Sequence, residues 1–459
     1  MIKSIFTAIL VGGFVSQIAC GQAGASASKS KGVDASVLAP QVVERGPDHR
    51  VWETYRAETN SENKIVVYTN SYKEIASGLH YKENAKGEWK ETVEQFDLKP
   101  GKAVAKKGRH AVSIGNNIHA AGSVEITMPD GRVLRTHPLA LSYVDTASGK
   151  STIIAEVKDS QGVVVAPNQI LFADAFDGVS ADIRYTYSKG AVEQDVLLRE
   201  SPPGPEEWNL PQTSRLEMLT EFLDGPQPKI QHVEKIAKKQ GSKVSSGTSA
   251  LATNKTTVED GDDDDLDWSG AMHMGHGKAF LSGDDKKSTN SVSVKKSYID
   301  VQGRKILVEA VPWNAVSKEL NKLPKPHASL KAGQGKVQRV ASVKPVLPKQ
   351  PLAQVSNKQM QVAAITSDQK GYVLDYMLQI SDYSGDYLFQ GDTTYFVSGP
   401  VYLQNVTLEG GAILKFCNDG SGCLNGGSIT CNTAPYRPKA ESGCVCRFSA
   451  DGKRLLGFF

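Results

Sequence analysis

Apolar and polar residues alternate in short runs along most of the chain from Val51 onward, and turn residues separate these runs. Residues 124–128 alternate strictly, and residues 181–187 read Ala-Asp-Ile-Arg-Tyr-Thr-Tyr. A period of two with β-branched and aromatic residues is typical of half-buried strands. The run 129–131, Pro-Asp-Gly, predicts a tight turn, because proline presets φ and glycine accepts a positive φ. The pattern therefore predicts an all-β chain with an antiparallel β-sandwich-like domain.

Residues 181–187 and 191–198 flank Lys189-Gly190 and both alternate, which predicts a hairpin with one buried and one solvent face. Helical periodicity is weak throughout. Residues 214–223 are the one stretch that we interpret as a short helix.

The alternation stops twice. Residues 225–265 are rich in Lys, Ser, Thr, Gly and Asp, and residues 324–369 are rich in Pro, Lys and Gln. Neither stretch has enough large apolar residues to bury itself, so both are predicted to be disordered linkers. We divide the chain at these composition changes into a signal segment (1–27), a β-rich domain (45–224), a low-complexity insertion (225–265), strands that rejoin the β domain (266–323), a linker (324–369), the start of a β-helix-like module (370–438) and an atypical tail (439–459).

The N-terminus has the order of features of a secretory signal. Lys3 precedes the apolar run 5–15, and small and polar residues follow, with A-x-A-like cleavage positions after Ala23 and Ala27. The apolar run is about half of the roughly 20 residues that a bilayer-spanning helix needs. We therefore expect an exported protein, secreted or in the cell envelope, with no transmembrane span after signal removal.

Cysteines lie only near the two ends of the chain. The stretch 17–20, Gln-Ile-Ala-Cys, is similar to a bacterial lipobox, which makes Cys20 a candidate lipidation site, although Gln17 departs from the usual leucine. The other five cysteines are Cys417, Cys423, Cys431, Cys444 and Cys446. An odd number leaves the disulfide pattern open.

Composition and sequence motifs limit the functions that the sequence predicts. The net charge of +3, with 22% charged residues, gives no argument for nucleic-acid binding. Gly-x-Ser-x-Gly and His-Glu-x-x-His are both absent from the sequence, so no catalytic residue and no cofactor is predicted. An active site whose residues come together only in the folded protein leaves no such signature in the sequence. Both an enzymatic and a non-enzymatic function therefore remain as alternatives.

One acidic run is a candidate calcium site, because calcium takes six to eight oxygen ligands. Its members are Asp260, Asp262, Asp263, Asp264, Asp265 and Asp267. The run lacks the glycine and glutamate positions of an EF-hand, and a solvated acidic linker is the competing interpretation. The neighbouring Met272-His273-Met274 could suit copper. In a strand, however, the two methionines share a face, so we expect them in the core with His273 outside.

Residues 393–416 combine short strands with Gly, Pro and Asn corners, and 408–416 read Leu-Glu-Gly-Gly-Ala-Ile-Leu-Lys-Phe. This resembles the first coil of a right-handed parallel β-helix, as in polysaccharide lyases and large bacterial surface proteins. Residues 129–135 and 181–187 resemble the N-terminal region of very large, uncharacterised secreted bacterial proteins that continue into β-helical or repeat-rich stretches. A solenoid needs several coils, so the resemblance implies a truncated or frame-shifted chain.

The resemblances imply a non-enzymatic surface or extracellular protein of structural or adhesion type, with cell-surface polysaccharide or envelope components as partners. The alternative is the accessory region of a polysaccharide-acting lyase or hydrolase whose β-helical catalytic part is missing.

Overall fold

A computed structural model describes twelve stretches of the chain. They are residues 39–232, 263–275, 277–282, 291–325, 338–339, 345–349, 356–363, 371–380, 383–416, 422–424, 429–432 and 456–457. The predicted signal segment and Cys20 lie outside these residues. Within the described stretches, no helix combines the length and the apolar character that crossing a membrane requires.

Strands make up almost all of the regular secondary structure in the described residues, which confirms the all-β class. In the first half these are β1 (Gln41–Arg45), β2 (His49–Thr59), β3 (Ile65–Ile75), β4 (His80–Tyr81), β5 (Lys90–Glu91), β6 (Asp97–Lys99), β7 (Lys102–Ala105), β8 (Ala111–Gly115), β9 (Val124–Thr127), β10 (Val133–Asp145), β11 (Lys150–Glu156), β12 (Gly162–Ala166), β13 (Gln169–Phe172), β14 (Ala181–Ser188), β15 (Ala191–Leu198) and β16 (Arg215–Asp224). In the second half they are β17 (Lys229–His232), β18 (Asp264–Asp267), β19 (Met272–Met274), β20 (Gly277–Leu281), β21 (Val292–Val301), β22 (Arg304–Pro312), β23 (Gln338–Arg339), β24 (Gln361–Val362), β25 (Tyr372–Ile380), β26 (Tyr383–Phe389), β27 (Thr394–Val397), β28 (Val401–Glu409), β29 (Ile413–Phe416), β30 (Gly422–Leu424), β31 (Ile429–Asn432) and β32 (Leu456–Gly457).

Two large antiparallel arrays form the body of the protein. In the first, β10 pairs with β9, β11 and β16, and β16 pairs in turn with β22. In the second, β13, β14, β15, β25 and β20 are successive neighbours. Strand β21 pairs with both β20 and β22, so it joins the two arrays. Their inner faces share one core, which contains Tyr143 and Leu216 of the first array and Ile183 and Val196 of the second.

Local turn chemistry sets the hairpin between β21 and β22. Gln302 and Gly303 have φ values of 55° and 82°, and Val301 pairs directly with Arg304. Two central residues with positive φ match the right-handed twist of the flanking strands. The predicted turn at 129–131 is likewise present, with Gly131 at φ 86° and its N–H donated to the Met128 carbonyl.

The only α-helix among the described residues, α1, spans Trp313–Leu320 and was not predicted. It begins after Pro312, and its buried residues Trp313, Val316 and Leu320 lie on one side at helical spacing. The predicted helix at 214–223 is wrong. Those residues form most of β16, which packs between β10 and β22, and these neighbours on both edges outweigh its weak helical pattern.

Parts of both predicted linkers are ordered, which corrects the expectation at those positions. Strand β17 lies inside the range 225–265, β18 begins inside it at Asp264 and ends at Asp267, and the two strands pair with each other. In the range 324–369, β23 pairs with β11, β24 pairs in parallel with β12, and Met360 is buried in the main core. Backbone hydrogen bonds between strands and the buried Met360 side chain order a segment whose composition alone predicts disorder.

Parallel pairing, as expected of a β-helical coil, is present between residues 383 and 432. Strand β27 pairs with β29 and β26 with β28. Thr394 pairs with Ile413 and Tyr387 with Val406, which are 19 positions apart in each case. The spacing is 20 positions between Tyr383 and Leu403, and it is 21 and 23 positions where β28 pairs with β30 and β31. Strand β27 also pairs in parallel with β3, from Tyr395↔Lys73 to Val397↔Ile75. The coil has its own core, which contains Ile75, Tyr395, Val401 and Leu414.

Residues 54–69 belong to a separate compact unit. The Asn60 side chain accepts hydrogen bonds from the N–H groups of Glu62 and Lys64 and so closes the turn. Arg56 lies over the Tyr68 ring at 5.9 Å.

Candidate functional site

The described residues contain a buried cluster of ionisable side chains beside β21, which we call the lysine cluster. Its centre is Lys296, which is 0% exposed although lysine is among the residues least often fully buried. Lys296 lies directly opposite Glu309 on β22, and its Nζ donates to the Gly275 carbonyl. Its other members are Asp195, Asp263, Asp265 and Asp375, which act electrostatically on Lys296 or on Glu309.

Sheet register brings the acidic groups of this cluster together. Asp195 on β15 lies directly opposite Asp375 on β25. The carboxylate oxygens of Glu193, Asp195 and Asp375 all lie within 4.8 Å of one another. Arg184 on β14 neutralises part of this charge, because its Nε and Nη2 donate to Asp195 Oδ2 at 2.9 and 2.7 Å.

Burial sets the protonation of the central pair. It raises the pKa of Glu309, and nearby Asp375 and Asp195 raise it further, against the opposing effect of Lys296. Burial also lowers the pKa of Lys296, although the surrounding carboxylates oppose this. The pKa of Glu309 rises to about 8, so this carboxyl is protonated at neutral pH. The trio Glu193, Asp195 and Asp375 has the oxygen chemistry that suits a hard divalent cation.

The predicted calcium ligands are only partly described and have separate structural contacts. Asp260 and Asp262 lie outside the described residues. Asp263 Oδ1 accepts the Lys296 N–H at 3.3 Å, and Asp264 Oδ2 accepts the Tyr298 N–H at 3.0 Å. Asp267 Oδ1 accepts the Gly270 N–H at 2.9 Å within a turn. These carboxylates therefore tie β18 and its turn to neighbouring backbone, and calcium binding by them stays a prediction.

The methionine prediction is confirmed and the histidine prediction is wrong. Met272 and Met274 are both 0% exposed in the main core, but His273 is only 8% exposed. Its Nε2 lies 4.0 Å from Asp265 Oδ1. The outer face of β19 is covered, so alternation did not bring His273 to solvent.

The same correction applies to β15. Asp195 lies on the face of β15 that was predicted to face solvent, but it is only 1% exposed, because other parts of the protein pack against that face. Leu197, Phe280 and Val373 form a small apolar cluster on it.

A second buried ionic group, which we call the arginine cluster, lies on the outer face of the first array. Arg304 donates from Nε and Nη2 to the two carboxylate oxygens of Glu221 at 2.8 and 2.6 Å. His137 Nε2 is 3.4 Å from Glu221 Oε2, and burial lowers the pKa of His137 to about 4 although Glu221 acts to raise it. Arg304 Nη1 also donates to the Pro348 carbonyl, which fixes part of the predicted linker over this face.

Glu217 shares this face of β16 with Glu221. Burial raises its pKa to about 7, against opposing effects of Arg215 and of a hydrogen bond from Ser142 Oγ.

Sequence reasoning missed the centres of both clusters. In the alternating pattern, Lys296 lies on the same face of the strand as Val294 and Tyr298, which pack in or against the core. This position was the one local feature of the sequence that could have indicated a buried lysine. Asp195 and Asp375 are far apart in sequence and meet only through strand register.

Comparison with known proteins identifies no relative. No family model matches the chain, and no curated protein and no solved structure matches it either.

Proposed function

We propose that this is an exported, non-enzymatic surface or extracellular protein of structural or adhesion type. The observation that carries the proposal is the parallel coil between residues 383 and 416, attached to β3 by direct strand pairing. A coil whose parallel strands pair about 20 residues apart can be lengthened by adding further coils, each of which contacts only its neighbours. Such an arrangement suits an extended scaffold on a cell surface.

The ionisable clusters support a non-enzymatic role. Lys296, Glu309 and Glu221 are each at most 5% exposed. Catalytic acids and bases must come within hydrogen-bond reach of a substrate. In the lysine and arginine clusters, these groups instead contact each other or neighbouring backbone. The signal-like residues 1–27 support export.

The test combines localisation with activity. Cells of the natural host are fractionated, and the intact mass of the purified protein is measured. We expect the protein in the envelope or extracellular fraction, with a mass that corresponds to cleavage after Ala23 or Ala27, or to lipidation at Cys20. A cytoplasmic, uncleaved protein would contradict export.

The same preparation is incubated with pectin-like and other uronate polymers. We expect no change in polymer length. Depolymerisation would instead support the accessory region of a polysaccharide-acting enzyme.

A further inference from the structure

We propose that Glu193 and Asp195 on β15 and Asp375 on β25 together bind one calcium ion. We call these three residues the carboxylate trio. The site is a separate property of the protein and does not depend on the proposed surface function.

Strand register places the three carboxylates together. Asp195 lies directly opposite Asp375 in the antiparallel pairing of β15 with β25. Glu193 is two positions before Asp195, so all three side chains project to the same side of the sheet. One carboxylate oxygen from each residue lies within 4.8 Å of the other two. Calcium binds oxygen at about 2.4 Å, so two oxygens on one ion are at most about 4.8 Å apart. The three oxygens are therefore close enough to share an ion.

A buried oxygen of Asp195 points to a ligand independently of this clustering. Asp195 is 1% exposed, and its Oδ2 accepts from Arg184 Nε and Nη2 at 2.9 and 2.7 Å. Its Oδ1 is buried too, and no described residue donates a hydrogen bond to this atom. Arg184 reaches Asp195 from β14, whereas Asp375 lies on the opposite side of β15, so Oδ1 is the oxygen on the Asp375 side. A buried carboxylate oxygen without a donor is destabilising, and a bound cation removes that cost.

The basic side chains near the carboxylate trio are all directed elsewhere. Arg184 contacts Asp195 through Oδ2. Lys278 on β20 lies directly opposite Asp375, but it forms no ion pair with a described residue. Lys296 acts electrostatically on Asp375, and its Nζ donates to a backbone carbonyl between β19 and β20. None of these three cations therefore donates to Asp195 Oδ1.

The donor set favours calcium over magnesium. Calcium takes six to eight oxygen ligands in irregular arrangements, whereas magnesium demands a near-ideal octahedron and keeps most of its water. Three carboxylates on two adjacent strands give such an irregular set. Glu193 is only half-buried, so the site has an exposed side from which the ion enters and where water completes the coordination.

The test is calorimetric titration of the purified full chain with calcium chloride, after EDTA treatment and removal of the EDTA. Magnesium chloride is titrated in parallel. We expect one calcium ion per chain and weaker binding of magnesium. Glu193→Gln and Asp375→Asn each remove one ligand charge, so each should weaken calcium binding by about tenfold or more. Calcium should also raise the melting temperature of the natural protein, because the ion binds only the folded state.

Two control variants should keep the natural affinity. Glu125→Gln removes a half-buried strand carboxylate outside the trio, one that lies 3.4 Å from Arg135 on the neighbouring strand. Asp260→Asn removes a member of the acidic run predicted from the sequence, which separates that run from the carboxylate trio.

Thermal unfolding checks that each variant is folded. If the buried Asp375→Asn substitution prevents folding, the half-buried Glu193→Gln substitution still tests the site. The proposal is overturned if the folded natural protein binds no calcium at millimolar concentration, or if magnesium binds more tightly than calcium. Unchanged calcium affinity in folded Glu193→Gln would also overturn it, as would loss of binding in Asp260→Asn. The titration does not depend on localisation, so its failure is distinguishable from failure of the export proposal.

Discussion

The lysine cluster and the arginine cluster are both buried ionic groups, but they differ in charge balance. In the arginine cluster, one guanidinium meets one carboxylate through two hydrogen bonds, at 2.8 and 2.6 Å. In the lysine cluster, one ammonium faces Glu309 together with Asp263, Asp265 and Asp375. A matched pair offsets its desolvation cost through geometry, whereas an unmatched group must retain protons or a counter-ion. We therefore expect the protonation of the lysine cluster to change more with pH than that of the Arg304–Glu221 pair.

The largest expected effect is at the lysine cluster. Lys296→Met removes the ammonium and leaves several buried carboxylates facing one another. We expect the free energy of unfolding to fall by about 4–5 kcal/mol, the upper part of the range for breaking a buried ion pair. Urea denaturation at pH 7 measures the change. The matched control is Lys305→Met, a partly exposed lysine on β22 paired with Asp300, which should cost about 0.5 kcal/mol or less.

The arginine cluster should respond less, because His137 can replace the lost charge. Arg304→Met should lower the free energy of unfolding by about 3 kcal/mol at pH 8. At pH 5 the loss should be smaller, since Glu221 without Arg304 favours protonation of His137, which lies 3.4 Å away. Denaturation of the natural protein and the variant at both pH values tests this. An equal loss at both would contradict compensation by His137.

Glu217 should control how stability changes with pH between about pH 4.5 and pH 7. Its pKa in the folded protein is about 7, above its usual 4.5. The folded state therefore binds more protons than the unfolded state between these values, and stability falls as pH rises through about 7. The raised pKa of Glu309 acts in the same direction. Glu217→Gln should flatten the decline in melting temperature between pH 5 and 8, and an unchanged slope would exclude Glu217 as its cause.

The smallest effect should come from Glu309→Gln. Because Glu309 is already protonated near neutral pH, an amide of the same shape should change stability by less than about 1 kcal/mol. If the free energy of unfolding fell as much as in Lys296→Met, Glu309 would be ionised and would form a balanced ion pair with Lys296. This variant is therefore the most direct check on the contrast between the two clusters.

Features encoded in a few adjacent residues could be predicted from the sequence. The Pro129-Asp130-Gly131 and Gln302-Gly303 turns depend only on local φ preferences, and the alternating strands depend on which face is buried. Helix α1 has a readable signal in Pro312 and the spacing of Trp313, Val316 and Leu320. It is short, however, and lies next to strongly strand-like sequence.

Features that depend on register between distant strands could not be predicted. The contact between Asp195 and Asp375, the covering of His273 and the pairing of Gln361 with Val163 all arise from which strands become neighbours. A polar residue in an alternating strand is predicted to face water, and it faces protein only when another element covers it. The interpretation of β15 and β19 failed for this reason.

The pairing of β27 with β3 has a consequence for the order of folding. Lys73 gains its partner Tyr395 only after the chain between them has been made and brought back. Loop-closure entropy makes such distant contacts slow to form. During synthesis the β3 edge therefore stays open for a long time, and unpaired edges promote aggregation. A polypeptide of this topology benefits from a chaperone that shields this edge until the last strands arrive.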